Sequence, residues 1–157
     1  LEALRPEKDT GARGTTGGIK MTSKLQYIDT GALIALSDLK DKNHDKSVNY
    51  VKESVRRGMR FVIGKNVLVE YIDGVTKRIG KEKAVYELDK ILNSKIVFLE
   101  FDTRKDWNKA LEYFQRYNNK EIDLTDCLSF AIIERLNIEE VFTFDSDFKT
   151  HGFVVVP

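Results

Sequence analysis

The chain has 157 residues, with 26 basic and 25 acidic side chains and a net charge of +1. Apolar residues make up 41% and charged residues 32%, the balance of one soluble domain around a single core. That excludes a uniformly basic nucleic-acid surface and a membrane-spanning run, and the single cysteine excludes a disulfide framework or a cysteine-based zinc cluster. A cytoplasmic location is the default expectation.

Residues 1–20 stand apart. They are glycine-rich, contain Pro6 and lack apolar periodicity, so they read as a flexible leader or expression extension ahead of Met21. Residues 21–157 then form one domain. Its elements alternate. LQYI (25–28) reads as a strand ending at Asp29, and TGALIALSD as the helix after it. HDKSVNYVKESVRRG (44–58) is amphipathic, with Val48, Val51 and Val55 on one face and Gly58 as stop. RFVIG (60–64) is a strand, and NVLVEYIDGVTKRIG (66–80) a helix with Val67, Tyr71, Gly74 and Val75 inward. KEKAVYELDKILN (81–93) is a helix, KIVFLEF (95–101) a strand. TRKDWNKALEYFQRY (103–117) is helical, with Trp107, Ala110, Leu111 and Phe114 on its apolar side. LTDCLSFAIIERLN (124–137) is a helix, and VFTF (141–144) and FVVV (153–156) are strands. Such alternation predicts an α/β fold, a three-layer sandwich around a mainly parallel sheet. Sheets of this kind bind ligands at the carboxyl ends of their strands.

Several carboxylates fall at that rim. Asp29 follows LQYI, Asp145 follows VFTF, and Asp102 follows KIVFLEF. Each competes with a capping or turn role, most strongly at Asp102, which leads into a helix. Asp126 lies in the very apolar stretch LTDCLSFAII, where a carboxylate is costly unless paired, hydrogen-bonded or metal-bound. Its alternative role is to complement the helix dipole, while Asp123 begins the helix as its cap. Asn66, Glu70, Asp73 and Lys77 form a polar helical stripe, which an ordinary solvated face also explains. Asp147, in FDSDF, reads as a loop residue and a further candidate. If these acids converge, each like-charge pair at about 5 Å costs roughly 3 kcal/mol at an effective dielectric near 20. A cation must then neutralise them, and all-oxygen ligands suit Mg²⁺ or Mn²⁺. Metal-assisted phosphodiester hydrolysis is the reaction class that follows.

Other chemistries find less support. His44 and His151 sit in polar segments expected to be exposed, Cys127 reads as a small core residue, and no glycine-rich phosphate loop is present. Lys65, Lys77, Arg78, Lys81 and Lys83 form the densest basic cluster near Glu70, either an RNA-binding rim or a solvated helix junction.

YIDTGALIAL (27–36), NVLVEYIDGVTKRIG (66–80) and LTDCLSFAIIERLNIEEVFTFDSDFKTHGF (124–153) together resemble the PIN-domain ribonucleases, and among them the VapC-like toxins of toxin–antitoxin pairs. The resemblance spans Leu25 to Pro157 and implies a PIN-like fold. It implies a catalytic metal site of Asp29, Glu70, Asp126 and Asp145 holding Mg²⁺ or Mn²⁺. Thr30 and Asn66 match assisting polar positions, and Asp147 a less constant one. The third strand would lie at an edge, leaving Asp102 to capping. The implied activity is endonucleolytic hydrolysis of RNA by activated water, leaving 5′-phosphate and 3′-hydroxyl ends. The implied partners are an RNA substrate, an antitoxin whose arginine reaches the carboxylates, and a second copy in a homodimer, with no membrane. A housekeeping RNA-processing nuclease and a catalytically silent binding module of the same fold are the alternatives.

Overall fold

A computed structural model describes residues 2–4, 24–118 and 122–157. The expected leader lies outside the described residues, apart from a short turn at Glu2–Leu4 whose Leu4 is buried. Five strands form the sheet: β1 (Leu25–Ile28), β2 (Arg60–Gly64), β3 (Val97–Glu100), β4 (Glu140–Phe142) and β5 (Val154–Val156). Their order is β3-β2-β1-β4-β5, and every adjacent pair is parallel. Seven helices connect or flank them: α1 (Thr30–Ser37), α2 (His44–Arg56), α3 (Lys65–Arg78), α4 (Lys81–Leu92), α5 (Arg104–Arg116), α6 (Leu124–Arg135) and α7 (Ser146–His151). The chain steps from β1 to β2 to β3 in one direction, then crosses back to β4 and β5. Right-handed crossovers therefore put α1–α4 on one face and α5–α7 on the other, the expected three-layer sandwich.

Burial explains the strand sequences. Three consecutive residues of β1 and four of β2 are buried, as a sheet covered on both faces requires. α6 is buried from Cys127 through Ile133, because the sheet, α5, α7 and α3 enclose it. Its apolar run, including Phe130 and Ile132, forms the centre of the lower layer.

Two expectations change. In α5 the inward residues are Asp106, Ala110 and Tyr113, while Trp107 and Phe114 are 42% and 48% exposed. The helix is turned by about one residue because Asp106 is anchored: its carboxylate accepts from the Thr103 amide and from Arg135 Nε at 2.9 Å. Asp102 does not cap α5, since Thr103 does so in a capping box, and Asp102 instead pairs with Lys65 at 2.8 Å. β3 does lie at a sheet edge. Among the described residues no helix is long and apolar enough to cross a membrane.

Gly64 ends β2 beneath the carboxyl rim. A Cβ there would press on the Tyr27 hydroxyl and Asn66 Oδ1 and lie 3.3 Å from Ile132 Cδ1. Tyr27 is fully buried and has nowhere to go. Gly64→Ala is expected to destabilise the protein by about 1–3 kcal/mol, read by urea denaturation; an unchanged midpoint would show that the ring and amide can shift.

Candidate active site

The direction of the chain reverses between β1 and β4, so a crevice opens beyond their carboxyl ends. Asp29 follows β1 at one lip. Its amide donates to the Phe142 carbonyl at 3.1 Å, which extends the β1–β4 ladder by one residue. It occupies the cap position of α1 without a side-chain capping bond, so its carboxylate is not consumed by the helix. Thr143, just past β4, fixes the opposite lip. Its hydroxyl donates to Asp29 Oδ2 at 3.1 Å and accepts from the Asp145 amide at 3.0 Å.

Asp145 caps α7, with its Oδ1 accepting from the Asp147 amide at 2.8 Å. Residues 146–151 are therefore helical, where the sequence suggested a loop. Asp147 is 5% exposed, and carboxylate oxygens of Asp126, Asp145 and Asp147 all lie within 4.8 Å of one another. Asp147 is thus more central than its sequence position suggests. The signal for it was Asp-x-Asp directly after a strand with an apolar Phe148 behind it. Thr143 was missed, because nothing in VFTF marks which polar residue turns toward the rim.

Asp126 reaches the same place from α6. Asp123 is the cap, as expected, and the two form a reciprocal box: the Asp126 amide donates to Asp123 Oδ1 at 2.9 Å, and Asp126 Oδ2 accepts from the Asp123 amide at 3.1 Å. One carboxylate oxygen holds the side chain in place and the other remains for the crevice. Glu70 projects from α3 and is exposed, with Oε2 accepting from Thr30 at 2.8 Å. Asn66 sits at the start of α3 and donates to the Thr125 carbonyl at 3.0 Å and Ser129 Oγ at 2.9 Å, binding α3 to α6. Tyr27 extends this chain from below with a 3.0 Å bond to Ser129.

The electrostatics follow from this crowding. Burial pushes the Asp29 carboxyl up to about 6, and the charges of Asp145 and Glu70 add to it. Burial raises Asp126 to about 7, with Asp123, Asp29 and Asp145 adding. Among the described residues no ion pair reaches Asp29, Glu70, Asp126 or Asp145. Lys65, at the start of α3, pairs with Asp102, and Arg135, at the far end of α6 from Asp126, pairs with Glu100 and Asp106.

The donors are all carboxylate oxygens, the set preferred by Mg²⁺ and Mn²⁺. Around an octahedral ion at about 2.1 Å, neighbouring ligand atoms lie about 3.0 Å apart and opposite ones about 4.2 Å, so three oxygens all within 4.8 Å of one another would close in on an ion to hold it. The other candidates lie outside this centre. Cys127 is buried, and its thiol is pushed up to about 11 by burial and by Asp126. His44 bonds the Ala35 carbonyl at 2.8 Å. His151 is not exposed: its side chain is 6% accessible and packs under α7.

A PIN-domain family model matches residues 26–154, and the chain belongs to the PIN-domain family. It is 28% identical over 132 residues to the 23S rRNA-specific endonuclease VapC20 of Mycobacterium tuberculosis, a match covering 83% of this chain and 96% of that protein. The crystal structure of that VapC20, a sarcin–ricin loop cleaving toxin, superimposes with a TM-score of 0.71 at 25% identity, covering 83% of this chain and 97% of the other. VapBC2 from Rickettsia felis, bound to a promoter DNA fragment, gives a TM-score of 0.63 at 18% identity over 84% of this chain and 97% of its own.

The raised carboxyls have a consequence for stability. Between the unfolded values near 4 and the folded values of about 6 and 7, the folded state of the metal-free protein binds more protons than the unfolded state. Their contribution to stability therefore falls as pH rises through that window. Thermal melts in EDTA are expected to show Asp126→Asn gaining on the wild type between pH 5 and pH 8. An equal pH slope in both proteins would remove the crowding argument.

Proposed function

We propose that the protein is a metal-dependent endoribonuclease of the VapC toxin kind. The observation that carries this reading is the meeting of Asp126, Asp145 and Asp147 at the sheet rim beside Asp29, where among the described residues no ion pair reaches Asp29, Asp126 or Asp145. Asp29, Asp126 and Asp145 would hold Mg²⁺ or Mn²⁺, with Asp147 completing the cluster and Glu70 facing it from α3. Bound there, the ion supplies a more acidic water and positive charge for the phosphoryl oxygens. Thr143 keeps Asp29 and Asp145 at a fixed separation. Thr30 orients Glu70, and the Asp123 box orients Asp126.

The relative's name favours structured ribosomal RNA as substrate. Of the five lysines and arginines near Glu70, Lys65 and Lys83 are paired with Asp102 and Glu87, whereas Lys77 and Lys81 stay exposed for phosphates. The toxin–antitoxin complexes among the structural matches support an antitoxin partner, whose arginine would meet the acidic rim. A second copy is the natural cover for the apolar stripe of Trp107, Leu111 and Phe114 on α5.

Purified protein incubated with ribosomal RNA and Mn²⁺ is expected to cut it, and EDTA to stop it. Asp29→Asn and Asp126→Asn should each lose at least about a hundredfold in rate, since even outer-shell partners of a metal cost 10–100-fold. Equal cutting by wild type and both variants would mean a contaminant and end the enzyme reading. For assembly, Trp107→Glu combined with Phe114→Glu is expected to convert a dimer to a monomer in sedimentation velocity. A dimer that survives both changes uses another face.

A further inference from the structure

We propose that His151 is a positioning residue, fastening α7 to α5 and α6 so that Asp145 and Asp147 stand at the right distance from Asp126. The inference rests on the metal-site reading above. α7 has six residues, too few to hold its own shape, and it ends at Gly152 in a left-handed conformation. Its first turn carries Asp145 and Asp147 toward the carboxylate of Asp126, so like charges push it away from α6. Two side chains resist. Phe148 is fully buried against Phe130, and His151 anchors the last turn.

The imidazole is bound on every side. It stacks on Phe130 of α6 with ring centroids 4.2 Å apart and planes at 15°, and meets the edge of Tyr113 at 4.6 Å. Nε2 lies 2.8 Å from Glu134 Oε1, and Nδ1 lies 2.6 Å from the Tyr117 hydroxyl. Glu134 is itself held, because its Oε2 accepts from the Tyr113 hydroxyl at 2.5 Å. One ring therefore joins α5 and α6 to the end of α7 that is remote from the carboxylates. A phenylalanine would supply the stacking equally well. The two hydrogen bonds add direction, fixing the rotation of the ring and with it the last turn of α7.

His151→Phe keeps the ring and deletes both bonds. Two measurements on it separate the possibilities. In the metal-free protein, hydrogen exchange of the Gly152 and Phe153 amides, both bonded to the Phe148 carbonyl, is expected to quicken while α6 amides stay unchanged. The Mn²⁺ dissociation constant, read from the electron paramagnetic resonance signal of free Mn²⁺, is expected to rise about tenfold, the lower end for an outer-shell partner. Excess Mn²⁺ should restore most of kcat, which mere loss of folded protein would not allow. Unchanged exchange in folded His151→Phe overturns the anchor. Quicker exchange with an unchanged Mn²⁺ constant overturns the positioning role. If the wild type binds no Mn²⁺, the metal reading falls, and the exchange result still decides the anchor. Should His151→Phe not fold, Tyr117→Phe removes one of the two bonds and is judged by the same two readouts.

Discussion

Carboxylates crowded into a half-dry crevice repel one another, and the upper rim of this fold is built to withstand that repulsion. Desolvation is the largest contribution at both Asp29 and Asp126, ahead of the neighbouring charges. The side chains would separate if free to do so. They are not free, because each is tied at its base by a hydrogen bond that does not neutralise it. Thr143 ties Asp29 and the Asp145 backbone, Asp123 ties Asp126, and Thr30 ties Glu70. Neutral donors of this kind fix geometry and leave the negative charge for something else to meet.

Sheet topology supplies the remaining constraint. With β1 at the centre and β4 beside it, the first and last acids of the set arrive on adjacent strands although 116 residues separate Asp29 from Asp145. α6 enters between α3 and α7, and its start is held over the crevice by the bonds that Ser129 accepts from Tyr27 and Asn66 and that the Thr125 carbonyl accepts from Asn66. The absence of a side chain at Gly64 leaves room for that polar chain. Core packing and site geometry are thus one problem: the residues beneath the rim are both the centre of the fold and the floor of the site.

The fold was legible because a buried parallel sheet writes itself as short β-branched and aromatic runs: four strands fall within the stretches read from sequence, and β4 is shifted to begin one residue earlier, at Glu140, and end at Phe142. Helix faces were less legible. Trp107, Leu111 and Phe114 are spaced as well as Asp106, Ala110 and Tyr113 for an inward stripe, and only the bond from Asp106 to Arg135, distant in sequence, decides between them. The same limit hid His151, whose burial depends on Glu134, Tyr113 and Tyr117 from two other helices. Asp29 and Asp145 could be placed at one rim from the strand pattern, whereas Asp126, on a helix, stood out by its apolar surroundings and joined them only through the family resemblance. That Asp147 joins Asp126 and Asp145 required knowing that α7 begins at Ser146 and points its first turn inward.

Charge is distributed so that a nearly neutral chain keeps a negative centre. Lys65, Lys83 and Arg135 are each committed to an acid of the fold, Asp102, Glu87 and the pair of Glu100 with Asp106. Lys65 and Arg135 fasten α3 and α6 to the segments around the end of β3 and the start of α5, whereas Lys83 and Glu87 lie one turn apart on α4, and among the described residues none of these pairs reaches Asp29, Asp126 or Asp145. A polyanion such as RNA is repelled by ionised carboxylates at the rim over roughly the 8 Å that physiological salt permits. A divalent ion held by the rim would remove both difficulties together, lowering the mutual repulsion of the carboxylates and turning a repulsive pole into an attractive one. An arginine from a protein partner would satisfy the same charges without supplying an activated water. On the proposed reading, activation and silencing are then two ways of neutralising the same carboxylates, so an arginine seated on them competes with the ion for the same oxygens.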